Sequence, residues 1–129
     1  MEKIRSQGKF NKGNVLINVD LVVLHFEEDK VHFIHSPHLD LTGYGNTKKE
    51  AEASFSIVLE EYFRYTLAKK TLFKDLRAHG WDIKESSTKP KMNPPEFSTL
   101  VSKSKELARI MNSHDFSKHS RKVGIPVPA

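Results

Sequence analysis

Histidine is the residue type in this chain best suited to metal or proton chemistry, and His25, His32, His35 and His38 fall close together. Neutral imidazole ligates transition metals and changes charge near neutrality. A zinc site needs three or four ligands in tetrahedral array, usually with further groups orienting them. His25 and His32 would face each other across a hairpin, but no acidic or thiolate third ligand accompanies them. They are read as surface or interface imidazoles, able to make an interface pH-sensitive. Carboxylates are the other candidates. Two-metal hydrolysis requires several of them converging on a pair of divalent ions, and Asp20, Asp40 and Glu50 are available. Asp20 lies on the polar side of its strand, Asp40 sits in a loop-like passage, and Glu50 is taken up by a helix cap. No converging set results. The expectation is a protein that is not an enzyme, with no catalytic residue, no metal and no cofactor.

The basic residues are distributed unevenly. Residues 1–85 carry 13 Lys and Arg against 13 Asp and Glu, whereas residues 86–129 carry 8 against 3, so the whole net charge of +5 lies in the last third. Such asymmetry points to nucleic acid or an acidic partner. The candidate phosphate contacts are Lys103, Lys105, Arg109, Lys118, Arg121 and Lys122. A helix-turn-helix over 107–122 fits poorly, since Asn112 stands where a turn glycine is usual and Lys118 where the second helix needs an apolar residue.

The elements that must position these groups follow from periodicity. Val15, Ile17, Val19 and Leu21 alternate with polar residues, and beyond Leu21 both sides turn apolar, as in a strand that becomes buried on two faces. Residues 27–30 are a polar break before a second strand at 31–36. A four-residue connection pairs Phe26 with Val31 and His25 with His32. It sorts Val22, Leu24, Phe26, Val31 and Phe33 onto one face, and Leu21, Val23 and Ile34 onto the other. A short third strand is expected over 41–44. Gly43 and Gly45 then supply freedom for a sharp reversal, and Thr47 with Glu50 forms a T-x-x-E capping box. From Lys48, the residues Ala51, Phe55, Val58, Leu59, Tyr62, Phe63 and Leu67 make one apolar helical stripe. A second helix spans 71–79 and is stopped by Gly80, and a fourth strand covers 81–84.

Residues 86–95 read as a linker by their Ser, Thr and Pro content. A last helix is expected over 96–111. Val123, Ile125 and Val127 alternate with Gly124, Pro126 and Pro128, a pattern suited to an edge strand docked on its own sheet or on a neighbouring subunit. The fold class is therefore α+β: an antiparallel β-β-β-α-α-β sheet covered by one long helix, with an extra C-terminal helix and a terminal edge strand. The divisions are an N-terminal extension (1–13), a core (14–85), a linker (86–95) and a basic helix and tail (96–129).

With that order in hand, the chain resembles the HicB antitoxin family. The resemblance rests on Pro37, Leu39, Gly43, Gly45, Thr47, Glu50 and Ala51, followed by Gly80-Trp81, and covers about residues 20–85. The chain departs from the family pattern after Pro37, where it reads His-Leu-Asp-Leu-Thr-Gly-Tyr, and it lacks an evident DNA-binding module. The resemblance implies a partial ribonuclease H-like fold without nuclease activity, a HicA-type mRNA-cleaving toxin as partner, and operator DNA only in members with a DNA-binding module.

The helix stripe can cover only one sheet face, so Leu21, Val23 and Ile34, flanked by His25 and His32, are expected as a bare interface. Val123, Ile125 and Val127 would join it through strand exchange in a homo-oligomer. The functional expectation is a non-enzymatic HicB-like antitoxin or orphan relative. The alternative is a DNA- or RNA-binding regulator using the basic last third. The absence of cysteine suits a reducing cytosol, the N-terminus shows no secretory apolar segment, and the aliphatic run at 21–24 is too short for a membrane span. A cytoplasmic protein is expected.

Overall fold

The computed structural model describes residues 14–85 and 90–128. The N-terminal extension (1–13) and residues 86–89 of the expected linker lie outside them. Strands β1 (Asn14–Glu28), β2 (Val31–Ser36) and β3 (Leu41–Gly45) lead into helix α1 (Lys48–Lys69) and the short helix α2 (Leu72–Ala78). Then come β4 (Asp82–Lys84), β5 (Lys91–Asn93), helices α3 (Phe97–Lys103) and α4 (Lys105–Ser113), and β6 (Phe116–Pro128). The main sheet is four-stranded and antiparallel in the order β3-β2-β1-β6, and β4 with β5 forms a separate two-stranded ribbon. The fold is α+β with one long helix on the sheet, as the sequence indicates. The differences lie in the connections. The strand at 82–84 does not join the main sheet; it pairs with Lys91–Asn93, drawn from within the expected linker.

The β1–β2 hairpin is tighter than expected. Glu28 pairs with Val31 and Phe26 with Phe33, so only Asp29 and Lys30 form the turn. Both have positive φ (51° and 68°), the backbone of a type I′ turn whose twist matches the flanking strands. The register therefore sits two residues from the expected one. Because side chains alternate with period two, such a shift leaves every residue on its face.

α1 covers the face carrying Leu21, Val23 and Ile34. Leu21 and Phe55 are fully buried there, and Leu39, Ala51, Phe63, Trp81, Ile125 and Val127 complete the same core. The expected bare interface is thus the interior of the fold. The opposite face is covered as well. Leu24 and Phe26 pack against Leu107 and Ile110, with Val22, Phe33, Phe97 and Leu100 at the margin. The single helix expected over 96–111 is broken at Ser104, whose backbone is extended (φ −98°, ψ 116°) and whose hydroxyl caps α4 by accepting from Leu107 N–H at 3.1 Å. The break lets α3 and α4 bend over the second face, so the sheet is a central layer between helices.

The β3–α1 junction is set by close packing. A Cβ on Gly43 would lie 2.3 Å from Phe55 N, and one on Gly45 2.5 Å from Glu50 Cβ. Neither has positive φ, so these glycines serve approach of helix to strand rather than the reversal expected of them. The cap forms with its return bond shifted by one residue: Thr47 Oγ1 accepts from Glu50 N–H at 3.1 Å, and Glu50 Oε1 accepts at 3.0 Å from the N–H of Asn46, just before the N-cap, rather than from Thr47.

Candidate functional site

Two of the histidines are structural pins. His38 is buried behind the β2–β3 turn. Its Nδ1 accepts from Val22 N–H at 3.2 Å, so the ring proton is on Nε2, which donates to Pro95 C=O at 2.9 Å. Trp81 Nε1–H donates to the His38 carbonyl at 2.9 Å. One imidazole therefore ties β1, the β2–β3 connection and the start of α3 together. Burial lowers its pKa, partly offset by the Pro95 carbonyl. His35 lies under the α3–α4 layer with Nδ1 2.9 Å from Thr42 Oγ1. Burial lowers its pKa too, against the opposing pull of Asp40 and Glu106.

His25 and His32 behave differently. The tighter turn sets His32 opposite Glu27 and His25 opposite Ile34, yet their rings stack at 5.2 Å, and His25 Nε2 lies 2.9 Å from His32 Nδ1. His119 lies on the same face, opposite Val23, with its Nε2 3.0 Å from Ser117 Oγ. Partial burial, Lys48 and the neighbouring imidazoles lower the His25 pKa. These rings make a polar surface at the open end of the sheet, beside the start of α1. Among the described residues, no group of three or more His, Cys, Asp or Glu is arranged to hold a metal ion. Asp20 and Asp40 are exposed, and Glu50 is held in the cap.

The basic candidates do not converge. Arg109 pairs with Glu106 at 2.8 Å and Glu28 at 3.5 Å. Lys118 Nζ lies 4.6 Å above the Phe97 ring. Lys103 and Lys105 flank the break between α3 and α4, and Lys122 is exposed opposite Asp20. Arg121 lies on the α1 side instead, 5.2 Å over the Phe55 ring and donating to Ser56 Oγ at 2.9 Å.

Val123, Ile125 and Val127 are buried in the main sheet of their own chain. They belong to a 13-residue strand paired along its length with β1, much longer than the expected segment. Strand β6 forms one margin of the sheet. Beside it, a groove of about 440 Å³ is lined by Lys49, Glu52, Ala53, Ser56 and Arg121. The α1 members lie outside the apolar stripe that marks the helix in the sequence. Their signal was nevertheless present: positions 49, 52, 53 and 56 follow helical spacing along one flank of the apolar stripe.

A second hollow, of about 530 Å³, lies at the hairpin end among His25, Glu27, His114 and Ser117. The chain matches no family model, no curated protein and no solved structure. Among the described residues, no helix is long and apolar enough to cross a membrane.

Proposed function

We infer that this chain is a HicB-like antitoxin or an orphan relative, a binding protein without chemistry of its own that meets a HicA-type mRNA-cleaving toxin in the cytoplasm. The observation that carries this reading is the use made of the motif behind the resemblance. Gly43 and Gly45 bring strand and helix together, Thr47 and Glu50 cap α1, and Trp81 is fixed to the His38 carbonyl. These residues build a scaffold: the Thr47 hydroxyl and the Glu50 carboxylate are taken up in the helix cap, and the Trp81 N–H is held by the His38 carbonyl. The surface left for recognition is the margin of a well-supported sheet, which suits protein–protein contact.

Nucleic-acid binding has less support, because the basic residues divide between different faces and Arg109 is paired with two carboxylates. Co-expression with a HicA-type toxin tests the reading. Restored growth and co-purification of the two chains are expected; toxicity undiminished by the chain, with no co-purification, overturns it. Binding to DNA or RNA that falls steeply with salt, in place of toxin binding, would favour the regulator reading.

A further inference from the structure

Strand β6 is the last strand on its side of the sheet among the described residues, and a groove adjoins it. Pro126 and Pro128 pair with Leu16 and Asn14 without interrupting the ladder. Proline has no N–H to give a ladder, so their nitrogens face away from β1. The register runs without a bulge from Phe116 to Pro128. By alternation, the N–H groups of Lys118, Ser120, Lys122 and Gly124 face outward as well. Among the described residues, no strand lies on that side. The edge thus offers donors from 118 to 124 and ends where the prolines begin. On the α1 side, an added strand would place alternate side chains in the groove of Lys49, Glu52, Ala53, Ser56 and Arg121.

Charge decides the occupant. On the α1 side Lys49 and Arg121 outweigh Glu52, and on the other face of the strand Lys118 and Lys122 outweigh Asp20. A second copy pairing antiparallel about Ser120 would set Lys118 directly opposite Lys122, and like charges so placed destabilise a sheet. We propose that the outer edge of β6 and the α1 groove dock an extended acidic segment of a partner protein, added as a further strand of the main sheet. In naming a protein ligand the proposal rests on the binding reading above, and it specifies the surface and the chemistry of the contact. Main-chain hydrogen bonds hold the segment, and acidic side chains at alternate positions meet Lys49 and Arg121.

The probe is a fluorescein-labelled peptide of about eight residues alternating Glu and Thr, long enough to span the open donors, followed by anisotropy with the full chain. Saturable binding that weakens with salt is expected, with none for the Lys–Thr counterpart. Ser120→Pro removes an outward donor while leaving the β1 ladder intact, so unfolding should be unchanged while affinity falls roughly fivefold to tenfold. Should that variant fail to fold, Lys49→Glu, which reverses a charge in the groove, is expected to give at least as large a loss. No binding of the acidic peptide, equal binding of the basic one, or affinity unaffected by the variants overturns the proposal. So does a self-associated form, or an RNA oligonucleotide, that takes the edge in place of the peptide. Toxin co-purification separates the two readings. A toxin held equally by wild type and Ser120→Pro keeps the antitoxin reading and removes this site, whereas peptide binding without any toxin does the reverse.

Discussion

At the residue scale, His38 shows how an ionisable group can be a fastening. Its neutral Nε2–H tautomer satisfies both Val22 N–H and Pro95 C=O, and a proton on Nδ1 would remove the acceptor that Val22 uses. Burial holds the pKa values of His38 and His35 below the ordinary 6.5. The unfolded chain therefore binds protons more readily than the folded one below that pH, and stability falls as pH drops through 6.5 toward the folded values. Urea unfolding at pH 7.5 and 5.5 should show lower stability at the acid pH. His38→Gln, which cannot be protonated, should reduce that difference while lowering stability at both pH values. Gly43 is the other decisive residue. Its missing Cβ would meet backbone atoms of Phe55 rather than a movable side chain. Gly43→Ala is expected to destabilise by about 3 kcal/mol, by overpacking the strand–helix contact, as read by chemical denaturation.

At the element scale, α1 is well specified at its start and less well at its end. Thr47 and Glu50 satisfy free N–H groups around the first turn. At the far end Thr71 N–H donates to Thr66 C=O at 2.8 Å and Lys70 N–H to Leu67 C=O at 3.1 Å. That is a Schellman closure with Lys70 at φ 59°, a position usually held by glycine. Lys70→Gly removes the Cβ repulsion of the left-handed backbone and should stabilise by about 1 kcal/mol, seen as a raised thermal midpoint. The hairpin turn carries the same signature at Asp29 and Lys30. Without an Asn-Gly or Asp-Gly pair to mark it, a longer connection was the natural reading of 27–30, and the register moved accordingly.

At the scale of the whole molecule, the ends of the described chain are two strands paired side by side, β1 inside the sheet and β6 at its margin. β1 pairs with β6 along its length, and Val123, Ile125 and Val127 contribute to the α1-side core. Truncation after Lys122 removes these side chains, each worth about 1.5–3 kcal/mol on full burial. That sum approaches the entire stability of an ordinary domain. The truncated chain should lose cooperative unfolding and near-ultraviolet circular dichroism; an unchanged transition would mean that the segment is only a tail.

Local patterns in the sequence were enough to define α1, its capping box, the existence of the hairpin and the edge character of 123–127. Each depends on side-chain spacing within one element or on a backbone donor that proline lacks. Which face α1 covers was beyond such patterns, since both faces of β1 are apolar past Leu21 and either could have met the helix. Tertiary structure decided it by folding α3 and α4 over Leu24 and Phe26, which left Leu21, Val23 and Ile34 to α1. The roles of Gly43, His38 and the β6 groove were settled in the same way. Close approach, buried hydrogen bonds and a groove between elements are relations between distant segments, and no one segment carries them.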